Sequence, residues 1–142
     1  MFTGEYNHTI DAKGRIIVPS KLRDGLGDKF IVTRGLEGCL FVYSEEEWDL
    51  FAASLRELPG TAQARKLKRA FLSAASYCDI DKQGRFLVPS SLREYAGLEK
   101  DVVFAGVDNR IELWDKGRWD EINDYSDIDE AAEELSAFGL KF

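Results

Sequence analysis

The chain contains one fourteen-residue segment twice, and this repeat constrains the fold more than any other feature. Residues 10–23 read IDAKGRIIVPSKLR and residues 80–93 read IDKQGRFLVPSSLR, with nine identities at an offset of 70. Two copies are too few for a solenoid, in which many repeats stack into an extended array. The duplication therefore predicts two half-domains packed around a pseudo-two-fold axis.

Each copy has the pattern of a β-hairpin followed by a short helix. An apolar, β-branched run flanks a polar turn at residues 11–15 and again at residues 81–85. Aspartate begins turns by accepting hydrogen bonds from the backbone, and Gly14 and Gly84 can take the positive φ that such turns need. The proline after each second strand cannot donate to a ladder, so the strand ends there. The pattern predicts a hairpin in each copy.

The rest of the chain predicts a β-rich α+β protein. Further strands are expected around 29–34, 39–43, 101–105 and 110–114. A helix is expected where four apolar residues recur at helical spacing, which are Trp48, Phe51, Leu55 and Leu58. The predicted segments are a first domain at 5–58, a linker helix at 59–76, a second domain at 77–124 and an acidic C-terminal helix at 125–142. The inward face of the last helix is expected to carry Ile128, Ala131, Leu135 and Phe138.

Composition argues against several classes of protein. There is no apolar run long enough to span a membrane and no N-terminal signal pattern, so we expect a cytoplasmic protein. Two isolated cysteines and the single His8 do not form a zinc motif, and the cysteines fit small core positions. No nucleotide-binding glycine motif or catalytic triad pattern is present, so we expect no cofactor, no small-molecule substrate and no enzymatic activity.

The charge is unevenly distributed along the chain. The net charge is −7, of which residues 115–142 carry −6, whereas residues 1–36 carry +2. Binding to a polyanion depends on the local field and not on the total charge. The acidic total therefore does not exclude DNA as a partner.

The basic side chains of the two turns are the best candidates for a binding role. Arg15 and Arg85 each follow the turn glycine, with Lys13 and Lys82 nearby. A guanidinium suits phosphates and the edge of guanine, and a two-stranded ribbon fits the major groove. The alternative is that each arginine pairs with the aspartate of its own turn, Asp11 or Asp81, and holds the hairpin. The residue types support DNA contact and pairing with the aspartate about equally, and one arginine can do both.

Other conspicuous residues favour ordinary structural roles. The basic run at 65–69 is typical of a solvated helix face. Four aromatic residues at core spacing favour packing over base stacking, which are Trp48, Phe51, Trp114 and Trp119.

The repeat also carries a family resemblance. Two copies of Asp-x-x-x-Arg, each followed by an apolar strand, Val-Pro and a short helix, resemble the AbrB/SpoVT pattern. In a chain of 142 residues that begins Met-Phe-Thr-Gly-Glu-Tyr, the doubled motif resembles the MraZ family in particular. The likeness covers nearly the whole chain.

The resemblance implies both a fold and a function. The fold would be two swapped-hairpin, AbrB-like half-domains forming one pseudo-two-fold, β-barrel-like unit with packing helices. The function would be a sequence-specific DNA-binding transcription regulator, usually a repressor of the operon for cell division and cell-wall synthesis. Such proteins bind short direct repeats in the promoter upstream of their own gene. They assemble into closed rings of subunits, which implies a cytoplasmic, nucleoid-associated homo-oligomer.

The resemblance also assigns residues. DNA contacts would fall on Lys13 and Arg15 in the first copy and on Lys82 and Arg85 in the second. The turn-forming residues would be Asp11, Gly14, Asp81 and Gly84. Position 83 is Gln, which makes the second turn less basic than a full duplicate and implies less DNA contact there.

Two other functions remain open at this point. AbrB-type domains also occur in antitoxins that hold a toxin with a C-terminal tail, and the acidic segment 115–142 fits such a tail. Against this, its regular apolar face indicates a segment folded onto the body. An enzyme with an unrecognised carboxylate site is the other alternative.

Overall fold

The structure, a computed structural model, describes all 142 residues as eight strands and six helices. The first half contains β1 (Glu5–Thr9), β2 (Arg15–Ile17), α1 (Ser20–Leu26), β3 (Lys29–Arg34), β4 (Leu40–Ser44) and α2 (Glu45–Arg56). The second half contains α3 (Ala62–Leu72), β5 (Ser76–Asp79), β6 (Arg85–Leu87), α4 (Ser90–Ala96), β7 (Asp101–Val107), β8 (Arg110–Asp115), α5 (Lys116–Ile122) and α6 (Ile128–Leu135). A short 3₁₀ turn, Ser136–Phe138, follows α6. The α+β class expected from the sequence is confirmed.

Strands from the two repeats interleave in both sheets. The larger sheet has the order β1-β7-β8-β4-β3-β5, and all its pairs are antiparallel. The smaller sheet, here called the ribbon, pairs β2 of the first repeat with β6 of the second. Neither repeat can therefore complete its sheet alone.

The simple local hairpin predicted from each turn is wrong in its pairing. Between β1 and β2 only one bridge remains, Ile10 with Ile16. β1 instead pairs along its five residues with β7, and β2 pairs along its three residues with β6, so both strands form longer ladders with the other repeat. The larger sheet ends at β1 and β5, so the barrel-like closure implied by the resemblance is not formed.

Each face of the larger sheet covers its own core. A cluster of 20 buried residues lies between this sheet and the ribbon, where Phe86 of β6 meets Phe30 of β3 edge to face at 5.0 Å. A second cluster of nine residues lies on the opposite face, under α2, α3 and α5, and includes Trp48 and Phe71. The ribbon and the three helices are therefore on opposite sides of the larger sheet.

The predicted apolar positions of the helices are partly confirmed. In α2, Trp48 and Leu55 are buried as expected. The inward face predicted for the C-terminal helix is wrong, because Ile128, Leu135 and Phe138 are exposed by 54%, 51% and 86%. The helical face of the larger sheet is already occupied by α2, α3 and α5, and α6 packs mainly against the 3₁₀ turn that follows it. None of the helices combines the length and the apolar character that a membrane crossing requires.

Candidate nucleic-acid interface

The first turn is built around one aspartate side chain. The backbone N–H of Gly14 donates to the Asp11 carbonyl oxygen at 3.0 Å, which closes a β-turn. Oδ1 of Asp11 accepts hydrogen bonds from the backbone N–H groups of Lys13 and Arg15, both at 2.9 Å. Gly14 has φ +88°, a left-handed conformation in which a side chain would be strained. The motif therefore determines the turn through its aspartate and its glycine.

The second turn reproduces this geometry. Oδ1 of Asp81 accepts from the backbone N–H groups of Gln83 and Arg85, both at 2.9 Å. The N–H of Gly84 donates to the Asp81 carbonyl at 3.0 Å, and Gly84 has φ +78°. The four turn-forming residues predicted from the sequence thus occupy equivalent places in the two copies.

Each arginine pairs with its aspartate and still has unused donors. Nε of Arg15 lies 2.8 Å from Oδ2 of Asp11, and Nε of Arg85 lies 2.9 Å from Oδ2 of Asp81. The four Nη atoms of these arginines make no hydrogen bond within the chain, and the side chains are 34% and 28% exposed. The structural pairing considered from the sequence is therefore present. It orients two guanidinium groups whose outer edges remain free to bind a ligand.

Hydrogen bonding favours the charged form of both aspartates. The backbone N–H of Arg15 lowers the pKa of Asp11, with further lowering by the Arg15 side chain and the Lys13 N–H. The backbone and side chain of Arg85 and the N–H of Gln83 lower the pKa of Asp81 in the same way. Ionised carboxylates accept these bonds more strongly than neutral ones would, so the turns stay ordered at neutral pH.

The ribbon brings the two turns together in a symmetric arrangement. In the register of β2 with β6, Arg15 lies opposite Leu87 and Ile17 lies opposite Arg85. Val18 N–H donates to the Gly84 carbonyl and Val88 N–H donates to the Gly14 carbonyl, both at 2.9 Å. Each turn is thus hydrogen-bonded to the strand end of the other repeat.

Two further arginines belong to this site and were not selected from the sequence. The guanidinium of Arg93, on α4, lies where a Cβ at Gly14 would be, and that of Arg23, on α1, lies where a Cβ at Gly84 would be. Each helix therefore supports the turn of the other repeat, and both glycines are buried beneath these side chains. Both arginines are identities that end the repeated segment. Their invariance between the copies could have indicated a role, but only the strand exchange shows which turn each one contacts.

The site concentrates positive charge in a chain that is negative overall. Six basic residues lie in or against the turns, and the acids within the turns themselves are the two paired aspartates. The basic residues are Lys13, Arg15, Arg23, Lys82, Arg85 and Arg93. The basic run at 65–69 belongs to α3, on the opposite side of the larger sheet, and its Arg65, Lys66 and Arg69 are exposed. The run is therefore separate from the turns, as the solvated-face interpretation expects.

The remaining candidates have structural surroundings. Trp48 and Trp114 are buried, and Phe51 and Trp119 pack against the same cluster, which confirms their assignment to the core.

Cys39 and Cys78 are buried and free, and burial raises their thiol pKa values to about 12 and about 11. His8 lies edge to face against Phe104 at 5.7 Å, and burial lowers its pKa. No group of three or more His, Cys, Asp or Glu side chains is placed to hold a metal ion.

The fold and the site together define a duplicated, strand-exchanged protein with a symmetric basic ribbon. Residues 1–70 and 71–140 each match the family described as "MraZ protein, putative antitoxin-like". A relative named "Transcriptional regulator MraZ" from Lachnoclostridium phytofermentans is 59% identical over 142 residues and covers all of both chains. Another of that name, from Acetivibrio thermocellus, is 50% identical over 143 residues and covers 99% of this chain and all of its own. The chain belongs to the MraZ family.

A comparison with solved structures gives a match of low similarity. The solution structure of PHS018 from Pyrococcus horikoshii covers 80% of this chain and 88% of its own, with 17% identity and a TM-score of 0.32. That similarity is too small to support a structural inference.

Proposed function

We propose that the chain is a transcription regulator that binds double-stranded DNA sequence-specifically through the two turns and the ribbon. The observation that carries this proposal is the paired presentation of Arg15 and Arg85, each held at Nε by its own aspartate with both Nη atoms free. A guanidinium in a fixed orientation can donate two parallel hydrogen bonds to guanine O6 and N7. The names of the relatives are consistent with this function.

The surrounding basic side chains have a different part in the proposed complex. Lys13 and Lys82 are exposed beside the arginines and are placed to neutralise phosphates. Phosphate contacts position a protein on DNA, and base contacts determine the sequence that it prefers. The acidic C-terminal segment leads away from α5, which packs on the sheet face opposite the ribbon, so its charge need not oppose DNA at the turns.

We further propose that the protein represses its own operon as a closed homo-oligomeric ring in the cytoplasm, associated with the nucleoid. The family resemblance suggests the operon for cell division and cell-wall synthesis and the direct repeats in its promoter. In support of assembly, the C-terminal arm, residues 125–142, exposes large apolar side chains that this chain does not cover. Several basic sites around a ring would meet several DNA repeats at high effective concentration.

Binding of the purified protein to the DNA upstream of its own gene tests the proposal. A duplex of scrambled sequence is the control, and the affinity is measured over a salt series. We expect tight binding to the upstream duplex only, with affinity that falls as salt rises because counterions are released. Arg15→Ala should lose most of this affinity, whereas Arg69→Ala on α3 should keep it. Equal affinity for both duplexes in a folded sample would refute sequence-specific regulation.

A partner-binding protein of the antitoxin type is a second candidate. The observation that favours it is the acidic C-terminal arm, whose large apolar side chains are exposed. A small basic protein that co-purifies with the full chain, and is lost on deletion of residues 125–142, would support this function. Loss of the homo-oligomer on the same deletion would instead support assembly through the arm.

A further inference from the structure

The outward face of the ribbon carries two exposed aliphatic side chains between its arginines. Ile17 is 46% exposed and Leu87 is 57% exposed, whereas their strand neighbours Ile16 and Phe86 are almost fully buried. The core therefore uses the inward positions of β2 and β6 and does not need the outward ones. Polar residues would suit these outward positions if they only faced water or phosphate.

The register of the ribbon makes these four outward side chains one patch. Arg15 lies opposite Leu87, and Ile17 lies opposite Arg85. Directly opposed residues have Cβ atoms about 5 Å apart, so each aliphatic side chain is in reach of an arginine. On the outward face, each strand carries one arginine and, two positions later, one aliphatic residue. Each arginine lies opposite the aliphatic residue of the other strand, and the pseudo-two-fold axis interchanges these two arginine–aliphatic pairs.

The positive charge around this patch indicates a polyanion as the occupant. Lys13 and Lys82 flank the arginines, and no acidic side chain except the paired Asp11 and Asp81 lies in the turns. Within the major groove only thymine presents a methyl group, at C5, and apolar side chains contact it. Residues i and i+2 of a strand are about 7 Å apart, which equals about two base-pair steps.

We propose that Ile17 and Leu87 determine sequence specificity by contacting thymine methyl groups in the major groove, next to the base pairs that Arg15 and Arg85 contact. This inference rests on the proposed function and adds a second kind of base recognition to it. Each aliphatic side chain excludes water from a thymine methyl within about two base-pair steps of an arginine contact. A cytosine at that position leaves the side chain without an apolar partner.

Replacement of thymine by deoxyuridine tests the contact directly, because deoxyuridine pairs normally and lacks the methyl group. The affinity of the full chain is measured for the duplex upstream of its own gene and for the same duplex made with deoxyuridine. We expect the wild-type protein to lose about fourfold in affinity for each contacted methyl group. Ile17→Ser and Leu87→Ser should bind the thymine duplex more weakly and should each lose part of this discrimination. Leu50→Ser, an exposed apolar residue of α2 on the opposite face, is the matched control.

The outcomes separate the inference from the proposed function. Upstream-specific binding by the wild type with equal affinity for both duplexes would overturn the inference and leave the regulator intact. Undiminished discrimination in both folded serine variants would overturn it as well. An altered oligomeric state in those variants, with unchanged DNA affinity, would assign the patch to contacts between copies and overturn thymine recognition. If the wild type binds neither duplex more tightly than scrambled DNA, the proposed function itself fails and the inference fails with it.

Discussion

The two turns have the same geometry and different side chains. Asp11 and Asp81 make equivalent hydrogen bonds whose lengths agree within about 0.1 Å. The first turn places lysine third, at Lys13, where the second has Gln83, and the second places lysine at Lys82. Each turn therefore has one lysine and one arginine, and the lysine stands at a different position in the two turns. The repeated residues determine the backbone, and the variable ones determine where the charge is presented.

The two turns also depend on each other. Arg93 of the second repeat covers Gly14 of the first, and Arg23 of the first covers Gly84 of the second. A change in one helix is therefore expected to act on the turn of the other repeat. This reciprocity distinguishes the molecule from two independent modules joined by a linker, and the predictions below test how far the symmetry extends to function.

The largest effect is expected when the two turn arginines are removed. Arg15→Ala and Arg85→Ala should each cost about 1–3 kcal/mol of binding free energy to the upstream duplex, which is about 5- to 150-fold in affinity. Equal losses would show that both turns contact bases. A loss confined to Arg15→Ala would show that the second turn is mainly structural. Fluorescence anisotropy at fixed salt measures both variants, and unchanged affinity in both would refute the proposed site.

An effect of comparable size, on stability instead of DNA affinity, is expected when the turn glycines are substituted. Gly14→Ala and Gly84→Ala should each lower the free energy of unfolding by about 1–3 kcal/mol, because a side chain at positive φ is strained. The added Cβ would also displace Arg93 or Arg23. Gly60→Ala is the control, since nothing lies within 4 Å of a Cβ there. Urea unfolding gives the comparison, and a neutral Gly14→Ala would contradict the turn geometry.

The turn lysines should change salt dependence more than specificity. Lys13→Ala and Lys82→Ala should each reduce the slope of log affinity against log salt by about 0.9, the value for one phosphate contact. Because the two lysines occupy different positions, one variant alone showing the change would indicate which turn follows the DNA backbone. If neither slope changes, the lysines do not contact phosphate.

The smallest effect is expected from titration of the two aspartates. Their pKa values are lowered in the folded chain, so their contribution to stability is present above the unfolded value of about 3.9. It is lost as the pH falls through the lower folded pKa. Asp11→Asn and Asp81→Asn should therefore each reduce the decline in stability in acid. Unfolding followed from pH 6 down through the unfolded value of about 3.9 measures this, and a decline that is unchanged in both variants would contradict the assignment.

Much of the local structure could be predicted from residue types. The turns form where Asp and Gly recur, because aspartate accepts backbone hydrogen bonds and glycine permits positive φ. The helix α2 follows from the apolar spacing of Trp48 and Leu55, which both become buried. The buried Cys39 and Cys78 also match their expected core positions. These features could be predicted because they depend on residues that are close together in the sequence.

For the C-terminal helix, the sequence pattern did not predict the burial of the apolar face correctly. An amphipathic period predicts which residues share a face, and Ile128 and Leu135 do recur at helical spacing. It does not specify what that face meets, and in this chain the neighbouring sheet face is already covered by other helices. The predicted burial was wrong because it required an uncovered part of the larger sheet for the helix to pack against.

The sequence by itself determined the duplication, the two Asp-x-x-x-Arg turns, the class of fold and the residues that form the turns. Only the tertiary structure decided that β1 pairs with β7, that β2 pairs with β6, and that Arg23 and Arg93 cross to the opposite turns. The physical reason is that two similar repeats offer nearly equivalent strand partners within and between copies. The local pattern is the same in both cases, and the choice depends on ladder length and on the shared core between ribbon and sheet.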